Sequence, residues 1–383
     1  MTVRLLAIGT AAPSGRITQE AAAEFAANRC CVDAQQRQWL LRRYRHSGVH
    51  SRGSVLLEPN GNGHATEGED LTAGAAVTGM DGFYPQPCNG SDRGPGTQRR
   101  LRRFEREGPL LAAAAAQRTL TESGIDPGSI THLICVSCTG LMSPGVDAAL
   151  IARLGLPSTV ARTSLGFMGC HGGINALASA AAIIGARPGA RVLICCIELC
   201  TLHFAYGFDR QRIVANALFA DGAAAMILTG DPPGDAQPGS NPPWILRDTA
   251  STLLPDSAAA MTWRIGDHGF EMGLAPMVPK LIEQHLQPWV SRLLATHGLA
   301  MGDVTGWNIH PGGPKVLDAT ASALGLSEDA IAPSRHILAE HGNMSSATMG
   351  FIQQHLATHV PCGPCLALGF GPGLVFEAAL LER

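Results

Sequence analysis

Apolar residues in this chain come in two rhythms. Short continuous runs, such as 191–197 (RVLICCI) and 223–228 (AAAMIL), mark strands buried on both faces. Between them lie stretches with helical spacing, such as the Ala-rich 170–186. The pattern predicts strands over 3–8, 131–136, 159–165, 191–197, 223–228, 244–252, 304–309, 365–370 and 374–379. It predicts helices over 17–27, 35–45, 97–107, 109–123, 147–154, 170–186, 275–296, 315–324, 335–341 and 345–359. The third and fourth are split at Gly108-Pro109, because proline breaks a helix interior. Alternation of strand and helix indicates an α/β body.

Two segments interrupt the rhythm. Residues 51–96 are dense in Gly, Asn, Asp and Pro and read as a long surface excursion with a short strand at 54–57. The Pro- and Gly-rich stretch 230–244 is the best boundary in the chain. Similar α/β patterns on both sides predict two halves, 1–235 and 236–383, and suggest an internal duplication. No short fixed period is present, which excludes a solenoid.

Composition narrows the class. At roughly 150 residues per domain, 383 residues make two or three domains. Hydrophobic residues are 45% and charged residues 15%, enough apolar material for a large core and against a disordered chain. A net charge of −3 gives no electrostatic case for nucleic acid or a polybasic membrane patch. The most apolar helix carries Asn175 and Ser179 and then meets Arg187, so no integral membrane segment is expected. The N-terminal run LLAIG is too short for a signal peptide and reads as a strand. Eleven cysteines, an odd number with pairs at 30/31 and 195/196, fit reduced thiols in a cytoplasm.

Chemistry is concentrated in a few places. Cys135-x-x-Cys138 and Cys362-x-x-Cys365 have zinc-ribbon spacing, but Cys135 lies in the apolar run HLICVSC and no polar knuckle surrounds either pair. Small apolar core residues are the better reading, and no metal site is expected. Cys170 differs. It sits in GFMGCHGG, after a predicted strand and at the start of a helix, where dipole and free N–H groups should favour the thiolate. The adjacent His171 should point elsewhere, since successive helix residues diverge by about 100°. His310, which ends a strand before Pro311-Gly312-Gly313, is the better partner. Asn343 lies in HGNMSS, a turn entering a helix, and could equally be an N-cap. The loop Gly369-Phe370-Gly371-Pro372-Gly373 lacks GxGxxG spacing, and Walker A and HExxH motifs are absent.

Together GFMGCHGG, WNIHPGGPKVLD, HGNMSSATMGFI and GFGPGLVFEAAL, with CTGLMSPGVD and ALFADGAAA, resemble the signatures of type III polyketide synthases, the chalcone and stilbene synthase family. The resemblance covers nearly the whole chain. It implies the thiolase fold, a five-layered αβαβα sandwich of two similar halves, usually as a homodimer. It implies a Cys–His–Asn triad at Cys170, His310 and Asn343. Phe219 falls on a gatekeeper position, and Met272 stands where a second gatekeeper is ordinarily Phe. Cys138, Thr139, Cys200 and His203 fall on cavity positions, His203 being a departure, and Ser345, Gly371 and Pro372 on further substrate-binding positions. Lys315 and the cluster Arg42, Arg43 and Arg45 fall near CoA-contacting positions, although a solvated helix face would also produce that cluster.

The implied reaction agrees with the residues. A cysteine thiolate takes an acyl group from an acyl-CoA starter, malonyl-CoA loses CO2, and the carbanion extends the chain before cyclisation. No cofactor is required beyond the CoA thioesters. Two rival enzymes use similar residues: a β-ketoacyl-ACP synthase III-like condensing enzyme and a cysteine acyl hydrolase. A zinc-binding scaffold is the rival from outside catalysis.

Overall fold

The computed structural model describes residues 2–57, 80–230 and 242–383. Its centre is one hydrogen-bonded sheet of nine strands. In chain order these are β1 (Val3–Ala11), β4 (His132–Ser137), β5 (Ala161–Gly166), β6 (Arg191–Leu199), β7 (Asp221–Thr229), β8 (Trp244–Leu253), β11 (Gly306–Ile309), β12 (Pro364–Gly371) and β13 (Val375–Glu382). Two small antiparallel sheets stand apart: β2 (Arg16–Thr18) with β3 (Ser51–Gly53), and the hairpin β9 (Met261–Gly266) with β10 (Gly269–Leu274).

Spatial order in the sheet is β5-β4-β6-β7-β1-β8-β13-β12-β11. Read inward from either end, it repeats itself. β4 runs parallel to β6, β7 is antiparallel to β6, and β1 is antiparallel to β7. Likewise β11 is parallel to β12, β13 is antiparallel to β12, and β8 is antiparallel to β13. The duplication suggested by the sequence is therefore present in topology. Among the described residues β5 alone has no counterpart. The halves meet where residues 3–5 pair antiparallel with 244–246. The 235/236 boundary and most of the proposed linker lie outside the described residues.

Each central strand buries both faces, as its continuous apolar run requires. Leu193, Cys195 and Ile197 of β6 enter one core and Val192, Ile194 and Cys196 another. Likewise Ala379 and Leu381 of β13 share that second core, while Ala378 and Leu380 face a third. The middle core contains strands of both halves and two helices, α5 (Gly172–Ala186) and α10 (Thr348–His359). Outside lie α3 (Thr97–Ser123) on one side, and α7 (Val278–Ala295) and α8 (Pro314–Leu324) on the other. This is the five-layered thiolase-like arrangement. Four shorter helices complete the scaffold: α1 (Gln19–Cys30), α2 (Ala34–Arg45), α4 (Val146–Leu154) and α6 (Arg210–Leu218). A fifth, α9 (Glu328–His341), packs beside α10 and leads into the turn holding Asn343.

Local expectations fail in four places. α3 runs unbroken through Pro109. Its face Phe104, Ala112, Ala115, Ala116 and Leu120 is buried, and that burial outweighs the cost of about 3 kcal/mol for an interior proline. Residues 54–57 form a buried turn, with Leu57 N–H donating to Ser54 O at 3.0 Å, and the strand lies just before it. The β9–β10 hairpin and α6 were not anticipated. Residues 58–79 of the expected excursion lie outside the described part.

Candidate active site

Cys170 sits in the turn between β5 and α5, two residues before the helix begins. Gly169 precedes it at φ +82°, and a Cβ there would collide with Pro372. The nucleophile turn and the closing GFGPG loop are thus in direct contact, at a spacing only glycine allows. Cys170 is half-buried. Burial pushes its thiol up to about 12, against hydrogen bonds from Ser345 and Asn343 that pull the other way, and the nearby Glu198 adds to the rise. The lowering expected from the helix terminus is outweighed.

Asn343 is held by backbone on both sides: its N–H donates to Leu218 O (2.8 Å) and its O accepts from Ala220 N–H (2.9 Å). It is bridged directly to Phe219. The side-chain Oδ1 accepts from Ser345 N–H at 2.8 Å, leaving Nδ2 to donate toward Cys170. The buried Arg52 donates to Asn216 O (2.8 Å) and Phe219 O (2.9 Å), capping the carbonyl end of α6. Phe219 and Asn343 are therefore tied into one unit. His310, at the end of β11, donates its N–H to Leu368 O (2.8 Å). Its ring is buried, both nitrogens lack a partner, and burial pushes it down to about 3, so it is neutral.

Cys170 opens into a small chamber lined by Cys138, Thr139, Cys200, Phe219, Met272, Ser345 and Pro372, seven of the expected positions. Its free volume is about 30 Å³, little more than one water. A second cavity of about 270 Å³ shares Cys200, Phe219, Met272 and Trp263 with it. Phe219 and Met272 thus stand at the boundary between two spaces. His203 lines the larger cavity. Its Nδ1 accepts from Phe270 N–H (2.9 Å), so Nε2 carries the proton and donates to Thr139 O (2.7 Å). The ring stacks on Phe270 at 4.2 Å, and burial pushes it down to about 3. It ties the hairpin to the chamber wall.

Gly371 does not line the chamber but backs the His171 ring, where a Cβ would collide. Lys315 opens α8, while Arg42, Arg43 and Arg45 occupy the last turn of α2, all four exposed. The loop that follows α2 reaches the start of α8, where Gly48 packs against Pro314. Arg43 is held over Trp39 at 4.9 Å. The CxxC pairs are not brought together: Cys135 lies in the first core and Cys365 in the middle one. Among the described residues no group of three or more potential ligands has metal-binding geometry. All eleven cysteines are free thiols.

Two residues were missed. Trp263 on β9 lines both cavities and donates Nε1–H to Cys138 O at 2.7 Å. Glu198 is fully buried and accepts from Cys138 N–H (3.0 Å), Thr139 Oγ1 (2.7 Å) and Ser346 Oγ (2.5 Å). Burial pushes it up to about 7 against those bonds. A single acid closing the apolar run RVLICCIEL was its available signal.

Two family models match the chain: "Chalcone and stilbene synthases, N-terminal domain" over 85–232 and the corresponding C-terminal domain over 246–383. The 1,3,6,8-tetrahydroxynaphthalene synthase of Streptomyces peucetius is 31% identical over 380 residues, 98% of this chain and 92% of that protein. The α-pyrone synthesis polyketide synthase-like Pks18 of Mycobacterium tuberculosis is 30% identical, covering 76% of this chain and 75% of its own. Among solved structures, the type III polyketide synthase domain of Steely1 from Dictyostelium superposes with a TM-score of 0.86 at 27% identity, covering 100% of this chain and 99% of that one. PKS-I of the brown alga Ectocarpus siliculosus gives 0.85 at 29%, covering 100% and 98%. On matched models, relatives and fold alike, the chain belongs to the chalcone and stilbene synthase family and is a type III polyketide synthase.

Proposed function

We propose that this enzyme is an acyltransferase that loads an acyl-CoA starter on Cys170, extends it with malonyl-CoA and releases a cyclised product of pyrone, resorcinol or related type. The observation that carries the reading is the Asn343 amide. Its oxygen is occupied by Ser345 N–H, so its NH2 is aimed at the sulfur of a cysteine that opens into a chamber. A neutral donor at that place suits charge developing on a thioester oxygen.

In the loading step Cys170 gives its proton to His310 as sulfur attacks the acyl carbonyl. CoA leaves as the thiol, taking that proton. In extension, malonyl-CoA loses CO2, and His310 and Asn343 donate hydrogen bonds to the enolate oxygen. The carbanion then attacks the Cys170-bound acyl carbonyl, forming the new C–C bond as the C–S bond breaks and Cys170 leaves as the thiolate. These are polar steps that call on no metal or redox cofactor. The exposed bases Lys315, Arg42, Arg43 and Arg45 would meet the CoA phosphates outside the chamber. The relative named for α-pyrone synthesis supports a pyrone among the products.

Several features support the remaining assignments. β5 ends the sheet with Ala161, Arg162, Thr163 and Ser164 exposed, beside exposed Leu141 and Met168, which suits a homodimer formed along this edge. Eleven free thiols suit a cytoplasmic enzyme. Among the described residues no helix is long and apolar enough to cross a membrane.

The test is product mass spectrometry with a panel of acyl-CoAs, supplying malonyl-CoA or malonyl-ACP as extender. Condensation with malonyl-CoA is expected, while use of malonyl-ACP alone would move the reading to a β-ketoacyl-ACP synthase III-like enzyme. Free acid without CO2 release would indicate a hydrolase. Cys170→Ala should abolish acyl-enzyme formation, and retained acyl labelling would overturn the nucleophile assignment.

A further inference from the structure

Cys138 lines the chamber, yet the proposed chemistry gives its thiol no task. It follows β4 directly, and β4 runs parallel beside β5 with Ser137 opposite Gly166. The two strands therefore release their next residues side by side. One gives Cys138, and the other gives the nucleophile turn, residues 167–170.

That turn is strained. Phe167 is at φ +59°, a left-handed conformation that a bulky side chain rarely adopts, and Gly169 follows at +82°. Such backbone persists only where its surroundings fix it. Phe167 N–H donates to Ser137 O at 3.4 Å, and the Phe167 ring packs on Phe270 at 5.5 Å. The grip nearest the nucleophile is a sulfur. Gly169 N–H donates to Cys138 Sγ at 3.0 Å, and the Cys138 S–H donates back to Gly169 O at 3.6 Å. One thiol thus holds both backbone polar groups of the residue before the nucleophile. Burial pushes that thiol well above its ordinary range, so it keeps the proton it donates.

Cys138 is itself held in place. Its N–H donates to Glu198 Oε2 (3.0 Å), its O accepts from Trp263 Nε1–H (2.7 Å), and it is 3% exposed. Every polar atom of Cys138 is engaged, and its bonds reach β6, the β9–β10 hairpin and the nucleophile turn. A wall residue needed only for bulk would require none of them.

We propose that Cys138 is a positioning residue: its thiol clips the strained turn through Gly169 and so fixes where the Cys170 sulfur points. The inference rests on reading Cys170 as the nucleophile. With the clip closed, Cys170 faces the chamber that Ser345 and Phe219 also line. With the clip removed, the turn relaxes toward negative φ and the sulfur turns away from an incoming acyl carbon.

Two measurements on the full-length protein test this. Amide hydrogen exchange reads the clip itself. Cys138→Ala should speed exchange in the peptide spanning 167–170 about tenfold and leave peptides of α3 unchanged. Single-turnover loading reads the positioning, using whichever of acetyl-, hexanoyl- and benzoyl-CoA labels wild-type Cys170 fastest. In Cys138→Ala the loading rate at saturating donor should fall about tenfold, while the half-saturating concentration moves less than about twofold. Cys138→Ser keeps a donor and an acceptor and should recover most of both losses. Unchanged exchange in Cys138→Ala would overturn the clip. Faster exchange with unchanged loading would make the thiol merely structural, and equal losses in the Ser and Ala variants would assign the effect to bulk; either overturns the proposal. Should Cys138→Ala fail to fold, Cys138→Val, which fills the space without a hydrogen-bonding group, takes its place in both assays. Wild-type protein labelled at Cys170 by none of the three donors would remove the proposed function, and the exchange result would still decide the clip.

Discussion

At the scale of single residues, Cys170 carries a neutral thiol and His310 a neutral imidazole. Burial sets both: it pushes Cys170 up to about 12 and His310 down to about 3. An ion pair is therefore made during the reaction rather than stored beforehand. Glu198 is the controllable opposing charge, since its own titration lies near neutrality, at about 7. Above that pH its carboxylate raises the cost of a thiolate; below it the proton removes the opposition. Glu198→Gln should accordingly lower the pH midpoint of Cys170 alkylation, with the largest gain over wild type above pH 7. A midpoint that stays or rises would show that its bonds to Thr139 and Ser346 matter more than its charge. The local frames of Cys170, His310 and Asn343, glycine-rich turns and a strand end, were legible in the sequence. Glu198 was less so, because its role depends on three donors from distant parts of the chain, Cys138, Thr139 and Ser346.

Among the elements, the β9–β10 hairpin does most to shape the cavities. It supplies Trp263 and Met272 to the boundary, and Phe270 to the His203 stack. Its strands, MTWRIG and GFEMGL, are short and only weakly alternating, so local pattern did not reveal them. The turn Gly266-Asp267-His268-Gly269 was the readable part. The long sheet strands, by contrast, were legible because burial on both faces leaves no room for polar residues. Helix α3 shows the limit of a strong local rule, since tertiary burial carried it through Pro109. Two substitutions test the hairpin's role in one assay of products across a starter panel. Met272→Phe should narrow the range of accepted starters, by adding bulk at the passage. Trp263→Ala should join the 30 Å³ chamber to the 270 Å³ cavity and lengthen the products. It should also cost roughly 1–3 kcal/mol of stability by leaving Cys138 O unpaired. Unchanged profiles in both variants would remove the hairpin from substrate selection.

On the scale of the molecule, the proposed chemistry is divided between the two halves. Cys170 comes from the first, and His310 and Asn343 from the second, so the site exists only where the halves are docked. A duplication was suggested by the repeated α/β rhythm, whereas the strand order in which the repeat is seen depends on pairings between distant segments. The proposed dimer can be tested by sedimentation. A double change, Thr163→Lys with Ser164→Lys, places charge on exposed positions of β5 and should convert a dimer to a monomer while leaving the melting transition cooperative. Wild-type protein that sediments as a monomer, or a variant that remains dimeric, would remove β5 as the contact.

The imperfect repeat has one more consequence. At the β5 end the outermost strand is exposed, but at the other end all four residues of β11 are buried. A sheet with two bare margins could recruit copies indefinitely and grow into a fibre. With one margin open and the other sealed, this sheet has a single valence, and a two-fold pairing saturates it. The strand that breaks the symmetry between the halves thereby limits edge-to-edge growth to a closed pair.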